Sequence, residues 1–172
     1  MTRLNRTVHM LGALGSFAFT ATRLGALGIL AFTAATLGAQ EACRGIECVF
    51  HHAALPTVPR STQPPFATQR SGEVATLRLL DACVQRGVKR VIYAASSSLY
   101  GDSPALPRVE TAVPAPLSPY AVSKLASQHY LRAYAHCHGL DTLALIYFNV
   151  FGPRQDPDSP YAAVIARFLN EM

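Results

Sequence analysis

Short apolar runs alternate with amphipathic segments along most of the chain. Gly87–Ala95 and Leu140–Phe148 are apolar runs of strand length, and Ile46–His51 is a shorter run of the same kind. Each is predicted to form a buried parallel strand. Because ligands of parallel sheets bind at the carboxyl ends of the strands, the residues that follow these three runs are candidates for a site.

Two helices are predicted between the strands. Glu73–Arg86 carries apolar residues among charges and ends at Gly87, and its predicted apolar positions are Val74, Leu77, Leu80, Ala82 and Val84. The second helix begins at Ser118-Pro119, with Ser as N-cap and Pro in the first turn, and Gly139 ends it. The segment before it, Asp102–Pro119, holds five prolines and is predicted to be a loop. Strands that alternate with helices predict an α/β fold with a parallel sheet.

Composition narrows the class of protein. Half of the 172 residues are apolar and 15% are charged, which suits one domain with a cytoplasmic location and no expected association with a membrane. The net charge of +5 favours an anionic ligand, but the basic residues are scattered, so nucleic-acid binding is not predicted. The four cysteines form no C-x-x-C pair and are predicted to be buried thiols. His136, Cys137 and His138 point apart on a helix, so no metal site is predicted.

The first 34 residues differ from the rest, because they are rich in Gly and Ala and repeat with a period of thirteen. Leu11–Gly15 recurs as Leu24–Gly28, and each copy contains G-x-x-G-x-x-A, which is close to a pyrophosphate-binding fingerprint. No strand is predicted before either copy, and no acidic residue follows about twenty positions on. A signal or membrane helix is a second interpretation, which Arg23 at its centre opposes. We favour a third, in which residues 1–34 are not the native start of the fold.

Candidate chemistry lies at the carboxyl end of the strand that Gly87–Ala95 predicts. Ser96 follows that strand, and Tyr120 and Lys124 stand four apart, so they share one helix face. A phenol titrates near pH ~10, but an ammonium beside it favours the phenolate. A Ser hydroxyl can hydrogen-bond the same substrate oxygen, which suits redox chemistry between an alcohol and a ketone. Chance occurrence of Y-x-x-x-K on a helix is the alternative, which the preceding strand and serines disfavour.

Four segments carry a resemblance to a known family: His51–Ser61, Tyr93–Gly101, Pro119–Lys124 and Tyr147–Pro157. Together they resemble the extended short-chain dehydrogenase/reductases, specifically the NAD-dependent nucleotide-sugar epimerases, among them UDP-N-acetylglucosamine and UDP-glucose 4-epimerases. The resemblance covers the chain from about Thr36 to its end. It implies a partial Rossmann-like, doubly wound parallel sheet with flanking helices. Residues 35–172 are then expected to be a partial NAD-binding catalytic core, with the substrate lobe absent.

The resemblance also implies roles for single residues. Tyr120 would be the general base, Lys124 would lower the pKa of Tyr120 and hold the nicotinamide ribose, and Ser96 matches the catalytic Ser or Thr. Ser97 and Ser98 are extra hydroxyls that either reach the sugar or serve as turn residues. The resemblance further implies that Asn149 contacts the substrate diphosphate. The other residues that it implies contact NAD are His52, Ala53, Ala54, Leu55 and Phe148.

Two departures from the family pattern are visible. Ile146 stands where family members usually have Arg, and Gly72 stands where they have Asn, three residues before Ala75-Thr76.

The expected activity is epimerisation at C4 of a UDP-sugar by NAD-dependent reversible hydride transfer. A nucleotide-sugar dehydratase or reductase and a non-catalytic remnant are the alternatives, and a homodimer is left open. Dehydratases usually place acidic residues beside the catalytic hydroxyl, where this chain has Ser97 and Ser98.

Overall fold

The computed structural model describes residues 7–11, 18–22, 28–30, 38–54 and 65–150, together with positions 152, 155, 165, 168 and 171. The described strands are β1 (Thr7–Leu11), β2 (Ala18–Thr22), β3 (Gly28–Leu30), β4 (Cys48–His51), β5 (Arg90–Ser96) and β6 (Asp141–Tyr147). The described helices are α1 (Gly38–Ala42), α2 (Pro65–Gln69), a π-helix (Arg70–Val74), α3 (Ala75–Arg86), a 3-10 helix (Ser97–Tyr100) and α4 (Pro119–His138).

Four of the strands form a parallel sheet in the order β3-β4-β5-β6. Val49 in β4 lies opposite Val91 in β5, and Ser96 at the end of β5 lies opposite Tyr147 at the end of β6. The predicted parallel α/β sheet is therefore confirmed. Because β4, β5 and β6 run in the same direction, their carboxyl ends lie at one edge of the sheet.

The amino-terminal segment contains strands that its sequence did not predict. β1 and β2 pair antiparallel, and β3 pairs parallel with β4. The expectation that no strand precedes either repeat copy is therefore wrong, since β1 ends just before Gly12 and β2 just before the second copy. Gly28 opens β3 and so lies in a strand, whereas Gly12, Gly15 and Gly25 lie outside the described residues.

The helix predicted over Glu73–Arg86 is one part of a longer helical path. That path begins at Pro65 and passes through the π-helix, where the Ala75 N–H bonds to the Arg70 carbonyl, five residues back. The buried positions of α3 are Ala75, Thr76, Leu79, Leu80, Ala82 and Cys83. The predicted positions Val74, Leu77 and Val84 are half-buried, because the buried face follows the four-residue spacing of 75, 79 and 83 and of 76 and 80.

Helix α4 is as the sequence predicts. Its N-cap is Ser118, whose hydroxyl accepts the Ala121 N–H at 3.1 Å, and Pro119 occupies the first turn. The helix ends at Gly139, which has a φ of 66°, in the left-handed region that favours glycine. Residues 101–118 form the predicted loop between the 3-10 helix and α4.

The hydrophobic core lies between the sheet and the helices α1, α3 and α4, and it includes Val49, Leu79, Leu80, Val91 and Leu131. Three of the cysteines are buried, and the sulfurs of Cys43 and Cys83 lie 3.9 Å apart. The prediction of a buried thiol is wrong for Cys137, since it lies on the exposed face of the last turns of α4. In the described part of the chain, no helix is long and apolar enough to cross a membrane.

Candidate active site

A pocket of about 320 Å³ lies at the carboxyl edge of the sheet. It is enclosed by residues from the ends of β4, β5 and β6 and by the first turns of α4. Its volume is near the lower end of the range for small-molecule sites. The residues that line it are His52, Ala54, Ala94, Ala95, Ser96, Tyr120, Lys124, Tyr147 and Phe148.

Ser96 is fixed at the last position of β5. Its Oγ accepts two hydrogen bonds from Ser98, one from the backbone N–H at 3.3 Å and one from the hydroxyl at 2.9 Å. The bond from the backbone N–H caps the 3-10 helix that follows. Since both are accepted by Ser96, its own proton is left for a partner in the pocket, which Tyr120 also lines.

Tyr120 lies in the first turn of α4 and is partly buried. Burial raises the pKa of its phenol, and the hydrogen bond with Ser96 opposes that rise only in part. The Lys124 Nζ lies 5.9 Å from the centroid of the Tyr120 ring. The expectation that Lys124 lowers the pKa of Tyr120 stays a prediction.

Lys124 is one turn further along α4 and only 3% exposed. Its Nζ donates a hydrogen bond of 2.6 Å to the Ala94 carbonyl of β5. Burial lowers the pKa of Lys124 from 10.5 to about 8, and within the described residues no carboxylate pairs with it. The ammonium is therefore mostly charged at neutral pH and sits beside the phenol of Tyr120.

Aromatic side chains form the rim of the pocket. His52 lies against Tyr147 with ring centroids 6.0 Å apart, and Phe148 stacks on Tyr100 with centroids 6.5 Å apart. Burial lowers the pKa of His52, and the positive charge of Lys124 lowers it further, so this imidazole is neutral at pH 7. The rim thus offers flat, uncharged surfaces to a bound ring.

Six of the residues predicted for the site line this pocket together: His52, Ala54, Ser96, Tyr120, Lys124 and Phe148. Ala53 is 3% exposed and packs in the core, and Leu55 lies outside the described residues. Ser97 does not line the pocket, and Ser98 contacts Ser96 rather than the pocket. Asn149 is exposed in a bend after β6 and is also not part of the lining.

Three lining residues were not predicted from the sequence. Ala94 and Ala95 complete the apolar run of β5, and two small side chains directly before Ser96 were the available signal. Tyr147 is the last residue of β6. Its position opposite Ser96 follows from the register of the sheet, which the sequence pattern does not specify.

Comparison with known proteins agrees with this geometry. Residues 23–172 match the model of the NAD dependent epimerase/dehydratase family. The UDP-glucose 4-epimerase of Mycolicibacterium smegmatis is 40% identical over 123 residues, which are 71% of this chain and 39% of that protein.

Two solved structures show the same fold. The UDP-N-acetylglucosamine 4-epimerase from Methanobrevibacter ruminantium, in complex with UDP-N-acetylmuramic acid, is 42% identical with a TM-score of 0.72, over 77% of this chain and 43% of that one. The UDP-glucose 4-epimerase of Thermus thermophilus, in complex with NAD, is 38% identical with a TM-score of 0.68, over 74% of this chain and 42% of that one. The chain thus spans about two fifths of the length of these relatives. Its sheet is Rossmann-like, and the chain belongs to the NAD dependent epimerase/dehydratase family.

Proposed function

We propose that this chain carries the proton-transfer relay of an NAD-dependent 4-epimerase that acts on a UDP-sugar of the UDP-glucose or UDP-N-acetylglucosamine type. The observation that carries the proposal is that Ser96, Tyr120 and Lys124 line one pocket. A hydroxyl, a phenol and an ammonium in one small pocket suit the removal and return of an alcohol proton. The names of the similar proteins support the substrate class.

The donors and the shape of the pocket fit the nicotinamide end of NAD. The ammonium of Lys124 and the hydroxyl of Tyr120 are donors suited to ribose hydroxyls. The small side chains of Ala54, Ala94 and Ala95 leave space for a flat ring against the ends of the strands. When bound, NAD supplies the acceptor for a hydride from the sugar and returns that hydride.

In the proposed mechanism, Tyr120 takes the proton of the sugar 4-hydroxyl and later returns it. Ser96 donates a hydrogen bond to the same sugar oxygen and stabilises that oxygen as its charge changes. Burial raises the pKa of Tyr120, so its phenolate needs a positive charge nearby. Lys124 provides that charge, because a pKa of about 8 leaves it mostly protonated at neutral pH.

Replacement of the phenol tests this proposal. Tyr120→Phe is expected to reduce the rate of interconversion of UDP-glucose and UDP-galactose, or of the N-acetylated pair, by at least about a hundredfold, as is typical when a general acid/base is lost. Tyr134→Phe is the matched control, since Tyr134 lies on the same helix and bonds to Asp81 away from the pocket. Products are measured by NMR with NAD added. Turnover of Tyr120→Phe close to that of Tyr134→Phe, or no turnover of either UDP-sugar by the unmodified chain, would contradict the proposal.

Dehydration of a nucleotide sugar is the less supported alternative. The positions beside Ser96 carry the hydroxyls of Ser97 and Ser98, and neither side chain is acidic. The same NMR assay distinguishes the two reactions, since a dehydratase would release a keto-deoxy sugar rather than an epimer.

We also propose a cytoplasmic location, because all four cysteines are free thiols, as is usual in reducing compartments.

A further inference from the structure

Four polar side chains form a buried cluster behind the pocket. His51, Thr76, Tyr93 and Ser127 come from β4, α3, β5 and α4, and none is more than 1% exposed. None of them lines the pocket. Because buried polar groups in proteins are almost always hydrogen-bonded, the bonds within this cluster define its geometry.

The hydrogen bonds of Thr76 determine which ring nitrogen of His51 carries the proton. The Thr76 hydroxyl donates its single proton to the Gly72 carbonyl at 2.7 Å. Thr76 must therefore accept the bonds from Ser127, at 3.3 Å, and from the Nε2 of His51, at 2.9 Å. Nε2 of His51 is thus the protonated nitrogen. Burial lowers the pKa of His51 to about 3, which keeps the ring neutral.

Tyr93 is held by this cluster at both ends. Burial raises the pKa of its phenol, and the neighbouring hydroxyls of Ser127 and Thr76 oppose that rise. Its ring is tilted against the ring of His51, with centroids 5.3 Å apart. The ring of Tyr93 therefore has a fixed position and a fixed orientation beneath the pocket.

The face of this ring lies under the ammonium of Lys124. The Nζ is 4.7 Å from the centroid of the Tyr93 ring, and it donates a hydrogen bond to the Ala94 carbonyl. An ammonium over an aromatic face within about 6 Å is attracted by the ring quadrupole, more strongly when it is desolvated. We propose that Tyr93 is a positioning residue for Lys124, and that Thr76, Ser127 and His51 hold its ring in place for this purpose.

A neutral ring suits this purpose better than a carboxylate. The titratable groups that face the ammonium are Tyr93 from β5, Tyr120 from α4, and His51 and His52 from β4 and the residue after it. Both histidines are neutral at pH 7, and no negative charge among these groups competes for the ammonium. The charge of Lys124 is then not neutralised by a carboxylate among these groups and remains available to Tyr120, whose ring centroid lies 5.9 Å from Nζ. The inference rests on the proposed function only for the role of Lys124.

The chain contains two lysines, which makes the test direct. With ¹⁵N-labelled lysine, side-chain NMR reports Lys124 and the exposed Lys89, and no substrate or cofactor is needed. Tyr93→Phe keeps the ring, and difluoro- and pentafluorophenylalanine at position 93 weaken its quadrupole at nearly constant size. We expect the pKa of Lys124 to fall stepwise along this series, by about one unit in all. Lys89, which pairs with Glu47, is the internal control, and its signal is expected to be the same in every variant.

An unchanged pKa of Lys124 along the series would overturn the inference. Circular dichroism and thermal melting check that the variants fold alike. If loss of the hydroxyl in Tyr93→Phe lowers the melting temperature, a fluorotyrosine series that keeps the hydroxyl repeats the measurement. A stepwise fall in a chain that does not epimerise UDP-sugars would support the positioning role of Tyr93 and refute the proposed function, so the two failures are distinguishable.

Discussion

A methyl group added at Gly72 has no room against helix α4. A Cβ at this position would lie 2.0 Å from the Oγ and 3.3 Å from the Cβ of Ser123. Gly72 belongs to the π-helix, and Ser123 directly precedes Lys124 on α4. Gly72→Ala therefore forces either Ser123 to rotate or α4 to move away, and any movement of α4 displaces Lys124.

The size of the effect follows from two opposing contributions. Overpacking of a core contact typically costs about 1–3 kcal/mol. Replacement of Gly by Ala in a helix otherwise contributes about 0.5–1 kcal/mol of stability. Rotation of Ser123 can relieve the contact with its Oγ but not the one with its Cβ, so we expect a net loss of about 1–2 kcal/mol. Gly72→Ala combined with Ser123→Ala should recover most of this loss, and combined with Ser123→Gly it should recover all of it.

Urea denaturation measures these free energies of unfolding and closes a double-mutant cycle. The matched control is Gly38→Ala, since a Cβ at Gly38 in α1 meets nothing within 4 Å. Gly38→Ala is expected to leave stability unchanged or to raise it slightly. The reasoning is refuted if Gly72→Ala is as harmless as Gly38→Ala, or if the effects at positions 72 and 123 are additive.

Three further predictions concern single groups. Burial lowers the pKa of Lys124 from 10.5 to about 8, so the unfolded chain binds more protons than the native chain between these pH values. The free energy of unfolding, measured in urea relative to Lys124→Met, should therefore rise by roughly 3 kcal/mol from pH 8 to pH 10.5. A difference that does not change with pH would contradict this. Ser96→Ala removes the hydroxyl that opposes the effect of burial on Tyr120, so the pKa of this phenol should rise further. The pKa is obtained from the tyrosinate absorbance of Ser96→Ala after subtraction of the absorbance of the double variant that also carries Tyr120→Phe. Cys137 is exposed whereas the other three cysteines are buried, so a thiol reagent should modify one thiol of the native chain rapidly, and Cys137→Ser should abolish that fast phase.

Features set by local sequence were predictable. Ser118, Pro119 and Gly139 specify the ends of α4 through capping, which needs only neighbouring residues. The spacing of Tyr120 and Lys124 specifies their shared face on that helix. Ser96 was predictable because the end of an apolar run marks the end of a buried strand, and parallel strands place such ends at one edge.

Features set by distant contacts were not predictable in the same way. Thr76 and Ser127 are 51 positions apart, and the bond between them depends on how α3 and α4 pack. Burial raises the pKa of Tyr120, and the sequence shows the charge of Lys124 nearby but not the extent of this burial. Strands β1 to β3 were missed, since Gly and Ala, which are poor strand formers, dominate that segment. Ser97 and Asn149 were expected to contact substrate on resemblance alone, and that expectation stays a prediction.

The π-helix between α2 and α3 has a consequence for how insertions and deletions act on this fold. Each hydrogen bond of a π-helix spans one residue more than a bond of an α-helix, so Arg70–Val74 accommodates one additional residue in a turn. Loss of one residue from this segment would convert the turn to α-helix and leave the flanking helices with nearly the same faces toward the core, where Leu79, Leu80 and Cys83 fix α3. Homologous chains that are one residue shorter here should have a regular α-helix in place of the π-helix, with the sheet and the pocket unchanged.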